Sequence, residues 1–232
     1  MMIVVTGASK GIGKSIARIF AADNATVLLG SRGETALYNT LQEMQTAYPQ
    51  ATVKAMPADF SLKSDVDNWC EWVLKQGTPD ILINNAGRFI PGSIHDEPAD
   101  ALETMLQQNL FSAYYVTRQL LPAMMACKSG HIFTICSIAS LQAYPNGGAY
   151  SISKHALLGF SRNLREEMKP YNIKVTAVMP GAAYTDSWSG SGVDPQRIME
   201  ADDIARMVFA AATLSNSACV EDIVLRPQLG DL

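Results

Sequence analysis

The segment T-G-A-S-K-G-I-G, residues 6–13, decides the fold, because a short apolar run leads into it and an amphipathic stretch follows it. The run Ile3–Thr6 predicts a buried strand, and residues 11–23 have the apolar spacing of a helix. Glycine lets the backbone turn sharply here and lets a pyrophosphate approach the free N–H groups of the helix N-terminus. The spacing G-x-x-x-G-x-G therefore predicts a pyrophosphate-binding turn, although a glycine-rich turn without a ligand remains an alternative.

The same alternation of strand and helix continues along the chain. We predict strands at seven short apolar runs: Ile3–Thr6, Ala25–Gly30, Ala51–Pro57, Asp80–Asn84, His131–Ser137, Lys174–Met179 and Cys219–Leu225. Helix-like segments lie at about residues 11–23, 34–47, 61–76, 97–127, 148–168 and 201–214. Continuous apolar runs indicate strands covered by helices on both faces, and connections of this length imply parallel pairing. We therefore expect an α/β fold, a doubly wound Rossmann-type domain with a seven-stranded parallel sheet.

Neither a linker nor a repeat divides the sequence, so we expect a single domain over residues 1–232. The nearest candidate for a linker, S-W-S-G-S-G-V-D at residues 187–194, is too short to separate two domains. Loops beside strand ends are where ligands bind in sheets of this kind. We therefore expect a substrate loop at about residues 182–200.

Composition narrows the class of protein. Of the 232 residues, 48% are apolar and 17% are charged, which suits a sizeable core and excludes a disordered or collagen-like chain. The formal net charge of −4 provides no global basic surface for nucleic acid. The four cysteines and three histidines lack metal-ligand spacing. No apolar run approaches the ~20 residues that span a bilayer, and we expect no secretory leader before the first strand. We expect a cytoplasmic protein with no metal, membrane or nucleic-acid partner.

The end of the second predicted strand, Gly30-Ser31-Arg32, indicates which nucleotide the turn accepts. An NAD-binding chain would place an Asp or Glu there for the ribose hydroxyl, whereas a guanidinium is the natural partner of a 2′-phosphate. Lys10 could add a second positive charge, and a charge-assisted contact is worth roughly 1.5–3 kcal/mol. Glu34 is a mild counter-argument, and a solvated Arg32 remains the alternative. We expect NADP(H) rather than NAD(H).

Tyr150 and Lys154 form a Y-x-x-x-K pair at the start of a predicted helix, one turn apart on the same face. A free tyrosine has a pKa of about 10, and lowering it by three units requires about 4 kcal/mol. A lysine ammonium ~4 Å away, at an effective dielectric constant of ~20, supplies energy of that order. Ser137 and the segment 84–87, N-N-A-G, follow predicted strands at the ligand-binding edge, and Asn109 needs a polar partner inside its helix. Together they predict an active site; alone, Y-x-x-x-K is more often a surface pair.

In this combination the sequence resembles the short-chain dehydrogenases/reductases over essentially its whole length. The motifs shared in family order are T-G-x-x-x-G-I-G, Asp59, N-N-A-G, Asn109, Ser137, Y-x-x-x-K, Pro180-Gly181 and Thr185. The resemblance implies that Tyr150 is the general acid or base, that Ser137 holds the substrate oxygen, that Lys154 lowers the pKa of Tyr150, and that Asn109 shapes a water relay. The cofactor-binding residues it implies, with Ser31 and Arg32 from the argument above, are Gly7, Ser9, Lys10, Gly11, Ile12, Gly13, Ser31, Arg32, Asp59, Asn85, Ala86, Gly87, Tyr150, Lys154, Pro180, Gly181 and Thr185. Asp59 would hold the adenine, unless it serves only a turn, and Thr185 the carboxamide, unless it caps a helix.

The activity implied is NADP(H)-dependent interconversion of a carbonyl and a secondary alcohol, with a small carbonyl or 3-hydroxy acid as substrate. A 3-oxoacyl-[acyl-carrier-protein] reductase is the first alternative, but residues 122–130 contain a single lysine where an acidic carrier would favour a basic patch. A redox sensor or scaffold that binds NADP(H) is the non-enzymatic alternative. The resemblance also implies a homodimer or homotetramer. Candidate pocket residues are Arg88, Phe89, Gln142, Tyr144, Asn146, Met179, Tyr184 and Trp188.

Overall fold

A computed structural model describes residues 1–185 and 192–231 of the chain. The strands are β1 (Met2–Thr6), β2 (Thr26–Ser31), β3 (Thr52–Pro57), β4 (Ile81–Asn84), β5 (Gly130–Ile135), β6 (Ile173–Pro180), β7 (Ala183–Tyr184), β8 (Met199–Glu200) and β9 (Asp222–Leu225). The α-helices are α1 (Gly11–Ala22), α2 (Glu34–Ala47), α3 (Lys63–Gln76), α4 (Ala101–Met105), α5 (Ser112–Cys127), α6 (Gly148–Met168) and α7 (Ala201–Ala212). Helices alternate with the longer strands, as the sequence pattern predicts.

Within the described residues, seven parallel strands form one sheet in the order β3-β2-β1-β4-β5-β6-β9. The chain starts in the middle of this sheet, builds one half outward to β3, and returns to build the other half from β4. A crevice opens where the strand order reverses, beyond the carboxyl ends of β1 and β4, and ligands bind there in open α/β sheets. The predicted doubly wound α/β fold is confirmed.

Two apolar layers cover the sheet, one on each face. On one face, Ile3 and Val5 of β1 pack with Phe20 and other buried side chains of α1, α2 and α7. On the other face, Val4 packs with Trp69 and other buried residues of α3, α5 and α6. Neighbouring residues of β1 therefore alternate between two cores, which explains why every position of this strand is buried and why the first four are apolar.

Three details differ from the sequence-based expectation. The helix predicted at 97–127 is instead α4, a π-helix (Leu106–Phe111) and α5 in succession. Ser137 lies beyond the end of β5, where its extended backbone begins a short 3-10 turn, because its side chain accepts a hydrogen bond that caps this turn. The pattern does not predict β7 and β8, since strands of two residues have no detectable period. Part of the expected substrate loop, including Trp188, lies outside the described residues.

Candidate active site

The glycine-rich turn after β1 is held by the segment that follows β4. The Thr6 hydroxyl accepts hydrogen bonds from the backbone N–H groups of Asn85 and Ala86, both at 3.0 Å. The Asn85 side-chain amide donates to the backbone carbonyls of Thr6 and Gly7, also at 3.0 Å. A Cβ on Gly13 would lie 2.4 Å from the Asn85 Nδ2 atom, so only glycine leaves room for this contact. Two of the motifs in the sequence are therefore parts of one hydrogen-bonded unit.

Polar side chains gather beyond the end of β2, where the sequence predicts a 2′-phosphate site. The hydroxyls of Ser9 and Ser31 are 2.9 Å apart. An Arg32 guanidinium nitrogen lies 3.5 Å from an Asp59 carboxylate oxygen, and the Arg32 side chain is 66% exposed. Asp59 also accepts hydrogen bonds from the backbone N–H and the hydroxyl of Ser61. Burial raises the pKa of Asp59, but the Ser61 hydrogen bonds and the Arg32 charge outweigh it, so the pKa lies below its usual value.

The remaining predicted cofactor residues lie around the same crevice. Gly11 and Thr185 are close neighbours, because a Cβ on Gly11 would lie 3.2 Å from the Thr185 methyl group. Ile12 packs against the core beneath the turn, and Lys10 precedes α1 at its N-cap position. Pro180 ends β6, and the N–H of the next residue, Gly181, donates to the Leu225 carbonyl of β9 at 2.8 Å.

Ser137, Tyr150 and Lys154 come together at the carboxyl edge of β5. The Ser137 side chain lies close enough to the Tyr150 hydroxyl to lower its pKa. Lys154 is 6% exposed, and its ammonium group donates to the Ile135 carbonyl at 2.9 Å and lies 5.8 Å from the centre of the Tyr150 ring. The fold therefore places two hydroxyls side by side with a buried cation beneath them.

The pKa values of Tyr150 and Lys154 do not follow the sequence-based expectation that Lys154 lowers the pKa of Tyr150. Burial raises the pKa of Tyr150 above its usual value, and the hydrogen bond from Ser137 opposes this only in part. Burial also lowers the pKa of Lys154, to about 8, although the neighbouring Cys136 thiol opposes that shift. Desolvation is therefore the largest cause of the shift in both groups.

Asn109 is fully buried in the π-helix and has the polar partners that its position requires. Its side chain accepts from the Arg88 N–H at 2.7 Å and donates to the Arg88 carbonyl at 3.0 Å and to the Ser153 hydroxyl at 2.9 Å. A Cβ on Gly87 would lie 2.9 Å from the Asn109 side-chain oxygen and 3.7 Å from Lys154 Nζ. Asn109 thus holds the segment after β4 against α6, next to Lys154.

Aromatic residues from two loops lie beside Tyr150. The Phe89 ring packs edge-on against the Tyr150 ring, with 4.9 Å between the ring centres. Burial raises the pKa of Tyr144 to about 12, with a smaller contribution from the nearby Tyr150. Met179, in contrast, is fully buried in the core.

Sequence reasoning missed one side chain at this site, Glu97. Its carboxylate accepts a hydrogen bond from the backbone N–H of Ala149, the residue before Tyr150, at 3.0 Å. The two residues are 52 positions apart, so no local capping pattern reveals the contact.

The described part of the chain contains no group of three or more His, Cys, Asp or Glu side chains that could hold a metal ion. Among its helices, none combines the length and the apolar character that a bilayer span requires.

Comparison with known proteins identifies the family. A family model described as short chain dehydrogenase matches residues 1–194. An uncharacterized oxidoreductase of Staphylococcus aureus is 31% identical over 97% of this chain and 96% of its own length. An alcohol dehydrogenase from the archaeon Thermococcus sibiricus, complexed with 5-hydroxy-NADP, has a TM-score of 0.90 at 26% identity and covers 98% of this chain and 96% of its own. The closed form of a serine dehydrogenase complexed with NADP+ has a TM-score of 0.89 at 25% identity, and the match covers 100% of this chain and 97% of that one. The chain therefore belongs to the short-chain dehydrogenase family.

Proposed function

We propose that the protein is an NADP(H)-dependent oxidoreductase that interconverts a carbonyl and a secondary alcohol, with Tyr150 as general acid and base. The observation that carries this proposal is that Ser137 and Tyr150 lie together beside the buried ammonium of Lys154, which is 5.8 Å from the centre of the Tyr150 ring. The pair lies at the carboxyl edge of the same sheet whose β1 and β4 ends form the glycine-rich crevice.

The residues of the crevice fit a dinucleotide. The turn between β1 and α1 leaves backbone N–H groups at a helix N-terminus, which suits a pyrophosphate. Two glycines leave room for the asparagine side chains around this crevice. A Cβ on Gly13 would collide with Asn85, and a Cβ on Gly87 would collide with Asn109. Ser31 and Arg32 supply a hydroxyl and a guanidinium for a 2′-phosphate, and the NADP-bound structures that the chain resembles support this choice.

Each catalytic side chain has a distinct task in this proposal. When bound, NADPH supplies the hydride. Tyr150 donates the proton that the substrate oxygen acquires, and Ser137 donates a hydrogen bond to the same oxygen as its charge develops. Lys154, in its protonated form, stabilises the tyrosinate left behind. Asn109 keeps the segment after β4 at a fixed distance from Lys154 and, in our proposal, shapes the water route by which the proton is replaced.

We further propose a small carbonyl or a 3-hydroxy acid as substrate. The likeness to a serine dehydrogenase supports a 3-hydroxy acid, because serine is one, although the hydroxyl group of serine is a primary alcohol. A carrier-bound β-ketoacyl chain is disfavoured by the single lysine, Lys128, in residues 122–130. A sensor without activity is disfavoured because Ser137, Tyr150 and Lys154 are all present and assembled.

The test is NADPH oxidation followed by absorbance with ethyl acetoacetate, 2,3-butanedione, benzaldehyde and a β-ketoacyl-carrier thioester, with NADH in parallel. We expect turnover with a free carbonyl and NADPH, and a loss of more than about a hundredfold in kcat in Tyr150→Phe with NADPH affinity retained. Tyr171→Phe, in the short 3-10 helix that follows α6, is the matched control and should leave kcat unchanged. Turnover by Tyr150→Phe near the wild-type rate would refute the assignment, and faster reduction of the carrier-bound chain would replace the substrate class.

The assembly and location of the protein also belong to this proposal. We propose a cytoplasmic homodimer or homotetramer, formed from single-domain chains and without nucleic-acid partners, in line with the net charge of −4. Light scattering coupled to size-exclusion chromatography would measure the assembly directly, and a monomer at micromolar concentration would contradict it.

A further inference from the structure

Two loops that are distant in sequence meet above the N-terminus of α6. The loop after β4 approaches the loop before α6, because the Gly92 N–H donates to the Asn146 carbonyl at 3.2 Å. The Ser93 hydroxyl donates to the side-chain oxygen of the same Asn146 at 2.8 Å. These contacts bring residue 97 to the first turn of the helix that carries Tyr150.

Glu97 supplies the cap that α6 itself lacks. The N-cap residue of α6 is Gly147, which has no side chain to accept a hydrogen bond from the first turn. The Glu97 carboxylate accepts from the Ala149 N–H instead, at 3.0 Å. A negative charge at this end of a helix also interacts favourably with the helix dipole.

The backbone around Glu97 leaves space for its carboxylate. Gly148 has a φ of +25°, and a Cβ at this position would lie 2.3 Å from the Glu97 carboxylate oxygen and 2.5 Å from the Gly92 carbonyl. A side chain of any size at residue 148 would therefore displace the carboxylate. The glycine and the glutamate form one complementary arrangement, which distinguishes this contact from a chance hydrogen bond on the surface.

The capped turn is also the turn that carries the catalytic tyrosine. Ala149 is buried against Ala101 and Met105, and Tyr150 packs on the same cluster. We propose that Glu97 is a positioning residue: by holding the Ala149 N–H, it fixes the first turn of α6 and thereby the direction of the Tyr150 hydroxyl. This inference rests on the proposed role of Tyr150. A displacement of about 1 Å in a reacting group can change a rate by about a hundredfold, so a loosened turn should affect turnover more than binding.

Three variants distinguish the effect of the length of the Glu97 side chain from the effect of its charge. Glu97→Gln keeps an oxygen at the same reach but loses the charge, Glu97→Asp keeps the charge but shortens the side chain, and Glu97→Ala loses both. Glu103→Gln, an exposed glutamate in the first turn of α4, is the matched control. The measurements are kcat and KM with NADPH and the free carbonyl of the panel that is reduced fastest, the Kd of NADPH, and hydrogen exchange at the Ala149 amide.

We expect kcat to fall about tenfold in Glu97→Ala and several-fold in Glu97→Asp, with Glu97→Gln and Glu103→Gln within about twofold of wild type. The Kd of NADPH should stay within about twofold throughout, and the Ala149 amide should exchange about tenfold faster in Glu97→Ala and Glu97→Asp only. If Glu97→Ala does not fold, the Asp and Gln variants carry the test alone.

Each of three other outcomes would overturn the inference: unchanged kcat in Glu97→Asp, a loss in Glu97→Gln as large as in Glu97→Asp, or a loss of NADPH affinity equal to the loss of kcat. Tyr150→Phe is assayed in parallel. An inactive Tyr150→Phe beside unaffected Glu97 variants refutes only the positioning role. An active Tyr150→Phe refutes the proposed function instead, and the exchange of the Ala149 amide still reports whether Glu97 caps the helix.

Discussion

Replacing Arg32 by alanine should convert an NADPH-preferring protein into one that binds the two nicotinamide cofactors about equally. The guanidinium lies at the end of β2 and contacts Asp59 at 3.5 Å, in a position that is largely exposed to solvent. An exposed ion pair of this kind is worth about 0–1 kcal/mol, whereas a charge-assisted contact with a phosphate is worth about 1.5–3 kcal/mol. Replacing the contact with Asp59 by a contact with a 2′-phosphate therefore has a net value between about 0.5 and 3 kcal/mol. The central part of this range, about 1–2 kcal/mol, corresponds to about five- to thirtyfold in Kd.

Calorimetric titration of the Arg32→Ala variant with NADPH and NADH measures this difference directly. We expect the Kd of NADPH to rise about five- to thirtyfold and the Kd of NADH to change less than about twofold. Arg118→Ala, on the surface of α5, is the matched control for loss of one positive charge. Added salt should weaken NADPH binding more than NADH binding, because the contact is exposed and therefore screened. An unchanged ratio of the two Kd values would show that Arg32 does not select the cofactor.

Two further predictions concern stability and the glycine-rich turn. Burial lowers the pKa of His131 to about 3, so between about pH 6.5 and pH 3 the unfolded chain takes up a proton that the folded chain excludes, and stability falls as the pH falls. The free energy of unfolding is measured with denaturant for the wild type and for His131→Gln, each at pH 7 and pH 4.5. From pH 7 to pH 4.5 the wild type should lose about 2–3 kcal/mol more stability than the variant, and equal losses would contradict this. Gly13→Ala should destabilise the protein by about 1–3 kcal/mol and weaken NADPH binding, because the added Cβ would lie 2.4 Å from Asn85 Nδ2. Gly159→Ala, at an exposed position of α6 where a Cβ would contact nothing within 4 Å, should instead be neutral or stabilising. Thermal melting of both variants measures the difference, and equal losses of stability in the two would refute the argument.

The fold is largely predictable from this sequence because its strands are short, apolar and separated by helices of clear period. The apolar run at β1 gives its position directly, since each of its residues is buried. The spacing of Tyr150 and Lys154 likewise places both on one face of α6, as the structure has them.

Other features depend on contacts between distant residues. The π-helix around Asn109 looks like ordinary helix in the sequence, and Asn109 makes its hydrogen bonds there with Arg88 and Ser153, which are distant in sequence. The capping of α6 by Glu97 crosses 52 positions and leaves no local pattern. The pKa of Tyr150 also resists prediction from spacing, since it depends on how much water the fold excludes from the ring and the hydroxyl.

The central position of β1 in the sheet has a consequence for folding during synthesis on the ribosome. Ile3 of β1 pairs with Val27 of β2 on one side and with Ile81 of β4 on the other, so one edge of β1 stays unpaired until β4 has left the ribosome. During that interval the nascent half-sheet β3-β2-β1 presents an open strand edge, and its unpaired backbone N–H and C=O groups are a template for pairing with other chains. Slow synthesis between residues 57 and 81 would lengthen this exposure, and the Asn85 contacts with the glycine-rich turn form only when it ends. The nucleotide crevice is therefore completed by the same event that protects the growing chain from aggregation.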